Sequence, residues 1–211
     1  LTWVARDAAT QGLSCLPSPC FADYSRALRC WNARFCYHQL PLSWSSLFPQ
    51  AFPQFSRQDV LWITNPHNPT GQLWSRESIE PLLKNNALVI CDEAFLPLVP
   101  NGELQSLVPL VANYPNLVVI RSLTKLFAIA GLRLGYVISA PDRLERWCNL
   151  RDPWPLNGFA AAVGTMLMND DQLFQAWLTR VNNWVAKEGI WLREKLFSIQ
   201  GIVPHPSSAN F

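Results

Sequence analysis

Three unbroken apolar runs restrict what this chain can fold into more than any other feature: "DVLWIT" (Asp59–Thr64), "ALVICDEA" (Ala87–Ala94) and "LVVI" (Leu117–Ile120). A strand with one wet face alternates apolar and polar residues. Runs without alternation, bounded by turn residues, read as strands covered on both faces, the pattern of a parallel sheet in an α/β protein. The intervening segments have helical character. "SRESIEPLLKNN" follows the first run, with Ser75 placed to cap and Ser78 or Glu77 in the first turn. "LQSLVPLVANY" (Leu104–Tyr114) predicts a further helix, which Pro109 would bend or begin. Upstream, "LTWVARDAAT" and "FADYSRALRCWN" read as helices, and "SCLPSP" and "ARFCYHQLPL" (Ala33–Leu42) as strands. "YVISA" (Tyr136–Ala140) completes the strand set. The expected architecture is α/β, with three layers around a mostly parallel mixed sheet.

After Pro141 the pattern turns helical. "DRLERWCNLR" and "NGFAAAVGTMLMND" are short helices, and residues 170–199 predict a long one, broken near Gly189. That length suits a helix bridging two domains, and "VPHPSSANF" reads as the start of a strand. The division expected is a large domain over 1–168, then an interdomain helix and the start of a smaller domain over 169–211.

Composition narrows the function. Hydrophobic residues make up 49% and charged ones 15%, so the chain can build a core and is not a disordered segment. A net charge of +2, with no basic stretch interleaved with aromatics, argues against nucleic acid. No apolar run is long enough to span a bilayer, and "LTWVARDAATQG" lacks a signal peptide's basic flank. The six cysteines show neither C-x-x-C pairs nor zinc spacing and read as reduced thiols, so no metal site and a cytoplasmic location are expected.

Ligands of open α/β sheets bind beyond the carboxyl ends of the strands. Three chemically distinct clusters stand at such ends: "NPHNPTG", "DEAF" and "SLTK". Lys125, in the apolar setting "LTKLFAIAG", is expected to be desolvated and so disposed to form a Schiff base. Considered alone, it would more often be a solvated lysine at a helix start. Asp92 ends an apolar strand, where a carboxylate needs a cationic partner. Ser122, Thr124 and Arg133 supply hydroxyls and a guanidinium suited to a phosphate, although singly the hydroxyls would be ordinary turn residues. Together these groups match pyridoxal phosphate, which needs a lysine for its aldehyde, a carboxylate for its ring nitrogen and donors for its phosphate. Asn68 can donate to the ring's phenolic oxygen.

On these motifs, in this order, the chain resembles the fold-type I pyridoxal-phosphate enzymes of the class I/II aminotransferase superfamily. The resemblance implies Lys125 as the lysine that carries the cofactor, Asp92 as the partner of the ring nitrogen, and Asn68 on the phenolic oxygen. It implies Ser122 and Arg133 on the phosphate, with Thr124 a further candidate. Phe21, in "PSPCFADY", falls where related enzymes stack an aromatic on the ring; a core aromatic at a helix start is the alternative. Two branches compete. Histidinol-phosphate aminotransferases usually carry tyrosine where this chain has Phe95. "DEAF", "RSLTK" and "DPWPLNGFA" (Asp152–Ala160) resemble more closely the threonine-phosphate decarboxylases of cobalamin biosynthesis. The resemblance further implies a small phosphorylated amino acid as substrate and a homodimer. It also implies a chain shorter than family members, without the glycine-rich phosphate loop and with the small C-terminal domain incomplete. Such a chain would be either a fragment or a short protein with impaired catalysis.

Overall fold

The computed structural model describes residues 1–41 and 43–211. Its centre is a six-stranded sheet: β1 (Ser14–Ser18), β2 (Phe35–Gln39), β3 (Val60–Thr64), β4 (Leu88–Asp92), β5 (Leu117–Ser122) and β6 (Gly135–Ser139). The spatial order is β2-β1-β3-β4-β5-β6, and every neighbouring pair is parallel except β5 with β6. Leu42, the last residue of the strand expected over 33–42, lies outside the described residues.

The lack of alternation in the apolar runs follows from the layers. Side chains of successive strand residues point to opposite faces, and both faces are covered. Val60 and Trp62, Leu88 and Ile90, and Val118 face a core shared with α1 (Thr2–Gln11) and α2 (Asp23–Cys30). Leu61 and Ile63, Val89 and Cys91, and Leu117 and Val119 face the opposite core, under α3 (Arg76–Asn85). A partly buried ion pair between Arg143, on α5 (Pro141–Leu150), and Asp7 ties α5 to α1. Ser75 caps α3 as its sequence suggested, its hydroxyl accepting from the Ser78 amide.

Three expectations need correction. Residues 104–114 form no α-helix; the connection holds 3-10 turns at Gly102–Gln105 and Val108–Leu110, with Pro109 inside the second. The cause is side-chain competition for the backbone: Glu93 accepts from the Leu107 amide and the Ser106 hydroxyl, drawing the segment out of helical register. The long helix, α7 (Asp171–Phe197), runs unbroken through Gly189 after α6 (Gly158–Met168). A single glycine costs only about 1 kcal/mol in a helix interior, and the stripe Phe174, Leu178, Val181 and Val185 anchors α7 on Leu98 and Leu126. The segment after Val203 is irregular rather than a strand: it docks through Ser208, whose amide and hydroxyl both donate to the Gly71 carbonyl. Gly71 has φ +72, and a Cβ there would meet the Ser207 hydroxyl. No helix among the described residues is long and apolar enough to cross a membrane.

Candidate active site

The strand ends converge. Asp92 is the last residue of β4, Thr64 pairs beside it as the last residue of β3, and Ser122 ends β5. A short helix, α4 (Leu123–Leu126), carries Thr124 and Lys125 directly onward. All seven residues singled out in the sequence (Phe21, Asn68, Asp92, Ser122, Thr124, Lys125 and Arg133) line one cavity of about 460 Å³.

Asp92 is fixed at both carboxylate oxygens. Oδ1 accepts from the Ala94 amide at 3.0 Å, and Oδ2 accepts from the Tyr24 hydroxyl at 2.9 Å. Burial pushes the Asp92 carboxyl up, while these two donors and the charge of Lys125 oppose the shift. The Tyr24 hydroxyl is itself pushed well above the usual phenol range by burial and then by Asp92, so it stays protonated and remains a donor. A phenol has one hydrogen. With that hydrogen on Asp92, the 2.9 Å contact between Tyr24 and Thr64 has Thr64 as donor.

Lys125 departs from expectation. It is exposed rather than desolvated, and its Nζ lies 5.2 Å from the centroid of the Phe95 ring. It enters no ion pair among the described residues. α4 is only one turn long, so its lysine projects into the cavity instead of packing under the "FAIAG" stretch that follows.

Ser122 caps α4, accepting from the Thr124 amide, and its Oγ lies 2.7 Å from the Thr124 hydroxyl. Arg133 adopts the left-handed conformation (φ 57°), lies exposed, and donates to the Ala130 carbonyl. Gly135 is required where β6 passes β5, because a Cβ there would sit 2.9 Å from the Arg121 carbonyl oxygen.

Asn68 is half-buried on a loop closed at both ends. Asn65 exchanges hydrogen bonds with the Trp74 backbone, and its amide donates to the Asp92 carbonyl. His67 Nε2 lies 2.6 Å from the Pro19 carbonyl. Burial pushes His67 down, so the neutral ring donates from Nε2 and leaves Nδ1 without a partner among the described residues. This bond joins the Asn68 loop to the turn that carries Phe21. Phe21 is 40% exposed and meets Tyr24 edge-on at 5.5 Å, which removes the core-aromatic alternative.

Residues 15–211 match the family described as aminotransferase class I and II. The chain belongs to this family. Among relatives, it is 30% identical over 208 residues to threonine-phosphate decarboxylase of Salmonella typhimurium, covering 92% of this chain and 54% of that one. It is 32% identical over 155 residues to histidinol-phosphate aminotransferase 1 of Carboxydothermus hydrogenoformans, covering 72% of this chain and 41% of that one. The crystal structure of L-threonine-O-3-phosphate decarboxylase from Porphyromonas gingivalis superposes with a TM-score of 0.80 at 23% identity, over 99% of this chain and 61% of that one. The chain thus spans about half the length of the curated relatives it matches.

Two parts of this candidate site were not legible in the sequence. Tyr24 stands three residues after Phe21, so the two share a helix-start face; that spacing was the available signal. The second is a buried cluster of Glu93, Arg121 and Ser106, joined by the half-exposed Glu103. Glu93 and Arg121 flank Asp92 and Ser122 in sequence, but Ser106 and Glu103 lie on an irregular connection, and no local pattern announces them.

Proposed function

We propose that this cavity holds pyridoxal phosphate and that the protein acts on a phosphorylated amino acid. The observation that carries the proposal is the convergence of a half-buried carboxylate (Asp92), a lysine without an ionic partner among the described residues (Lys125) and a hydroxyl–guanidinium set (Ser122, Thr124, Arg133) on one cavity. The donor set fits the group chemically. Asp92 has both oxygens engaged by donors yet, as a carboxylate, retains lone pairs for a further N–H. Arg121 is committed to two carboxylates, which leaves Arg133 as the cavity guanidinium open to a phosphate.

Bound pyridoxal phosphate supplies an electron sink for the pair released when a bond to a substrate's Cα breaks. In this reading Lys125 would hold the cofactor's aldehyde carbon and would be the group that moves a proton at the substrate's Cα. Asp92 would keep the ring nitrogen protonated, and Tyr24 keeps Asp92 oriented. Asn68 would donate to the phenolic oxygen, Ser122, Thr124 and Arg133 would hold the phosphate, and Phe21 would pack against the ring. Residues 1–168 then form the cofactor domain, and 169–211 the linking helix and first segment of a smaller one. A homodimer working in a reducing, cytoplasmic compartment completes the reading, in keeping with six unpaired cysteines.

Within the family we favour decarboxylation of L-threonine O-3-phosphate to (R)-1-amino-2-propanol O-2-phosphate, a step of cobalamin biosynthesis. Similarity to a threonine-phosphate decarboxylase extends over 92% of the chain, against 72% for a histidinol-phosphate aminotransferase. Phe95 has no hydroxyl to offer the phenolic oxygen. Transamination of histidinol phosphate is the second reading, supported by 32% identity over the shorter span; a fragment with impaired catalysis is the third. The test supplies pyridoxal phosphate with O-phospho-threonine, and separately with histidinol phosphate and 2-oxoglutarate. Carbon dioxide and aminopropanol phosphate from the first support the decarboxylase. Glutamate from the second moves the protein to the aminotransferases, and neither product supports the impaired fragment.

A further inference from the structure

Arg121 is held by a cluster that the proposed chemistry does not use. Its Nη2 lies 2.7 Å from Glu93 Oε2 and 2.8 Å from Ser106 Oγ, and its Nη1 lies 2.7 Å from Glu103 Oε1. Nη2 also reaches Glu103 Oε2 at 2.9 Å, giving a two-point contact with that carboxylate. Ser106 Oγ in turn donates to Glu93 Oε2. Glu93 is fully buried and the Arg121 side chain is 7% exposed. Burial alone would lower Arg121, but its hydrogen bonds to Glu103 and the charge of Glu93 outweigh it and keep the guanidinium charged.

The placement within the sheet gives this cluster its meaning. β4 and β5 pair with Asp92 beside Ile120, and the Glu93 amide continues the ladder to the Ile120 carbonyl. By strand alternation, Asp92 and Ser122 face one side while Glu93 and Arg121 face the other. Each half of the candidate site is thus one residue from a member of the ion cluster: Asp92 from Glu93, Ser122 from Arg121. The third member, Glu103, reaches the guanidinium because Gly102 lets its 3-10 turn pack tightly, a Cβ there lying 2.7 Å from both the Leu96 carbonyl oxygen and Val99 Cβ.

We infer that Arg121 is a positioning residue, clamping the ends of β4 and β5 so that the Ser122–Lys125 turn stands in fixed register with Asp92. The inference rests on the cofactor reading for its functional consequence but not for the geometry. Removing Arg121 alone would leave Glu93 buried without a cation and destabilise the whole fold. The informative variant is therefore the neutral pair Glu93→Gln/Arg121→Met, because replacing a buried ion pair by neutral groups of similar size is often tolerated. Glu103→Gln, a change at the cluster's exposed edge, serves as a second variant that leaves the Glu93–Arg121 pair intact.

Two readouts separate positioning from stability: hydrogen exchange of the 122–126 amides in the chain without cofactor, and the dissociation constant for pyridoxal phosphate. In the double variant the thermal midpoint should stay near that of the parent, while exchange at 122–126 accelerates and cofactor affinity falls by at least about tenfold, the range in which losing an orienting partner usually registers. Glu103→Gln should move both readouts the same way, by less. Parental exchange at 122–126 in both variants overturns the inference. If the parent chain binds no pyridoxal phosphate, the cofactor reading fails, and the exchange data still decide the clamp. If the double variant does not fold, Glu103→Gln decides alone, and unchanged exchange there overturns the inference.

Discussion

The Tyr24 hydroxyl donates to Oδ2 of Asp92 at 2.9 Å, joining helix α2 to the end of strand β4 at the floor of the cavity. Tyr24 also packs against Trp62, ring centroids 5.1 Å apart, so the phenol cannot swing away without disturbing the core. A core aromatic thereby fixes the orientation and ionisation of the carboxylate on which the proposed chemistry depends.

Tyr24→Phe keeps the ring and removes the donor. Losing one such bond to a carboxylate should cost about 2 kcal/mol of unfolding free energy. Asp92, already raised by burial, would rise further without this donor. Because Asp92 must be ionised to serve a protonated ring nitrogen, the acid limb of the pH–rate profile should move to higher pH. Turnover measured across pH checks this, and a limb at the parental position speaks against the coupling.

Asp92→Asn is nearly isosteric but cannot carry the negative charge. Cofactor should still bind through Lys125, Ser122 and Arg133, while turnover drops by at least about a hundredfold, the scale on which a lost proton-handling group registers. Cofactor absorbance and product formation, measured on the same sample, test both halves. Near-parental turnover would remove Asp92 from the ring-nitrogen role.

His67 predicts a pH dependence of stability. Burial lowers its folded-state affinity for a proton below the ordinary value of 6.5. Above that value the ring is neutral in both folded and unfolded chains, and nothing is linked to pH. As pH falls below it, the unfolded chain takes up a proton that the folded one resists, so stability declines. Asp92 and Glu93, raised by burial, act in the opposite sense. The quantity to measure is therefore the difference between the parent and His67→Asn in urea unfolding between pH 7.5 and 5.5. The parent should lose stability relative to the variant over that range; parallel curves would show that His67 is not held neutral by the fold.

Much of this arrangement was legible before any coordinates. The runs at Asp59–Thr64, Ala87–Ala94 and Leu117–Ile120 became β3, β4 and β5 because continuous apolar character reports burial on both faces, a local property. The cavity residues were legible because parallel strands place their carboxyl ends together, so residues distant in sequence meet there by topology. What stayed hidden depended on partners far away in the chain. Glu93 captures the Ser106 hydroxyl and the Leu107 amide and unmakes an otherwise plausible helix. The Arg121–Glu103 contact spans the same connection. Lys125 is exposed because α4 ends after one turn, which the apolar neighbours of the lysine did not foretell.

Lys125 is the residue proposed to carry pyridoxal phosphate. The most direct measurement is to incubate the chain with pyridoxal phosphate, reduce with borohydride, digest, and locate the phosphopyridoxyl group by mass spectrometry, with Lys125→Ala treated in parallel. A single modified peptide containing Lys125 is expected in the parent and none in the variant. A label on another lysine, or one that persists in Lys125→Ala, would contradict it.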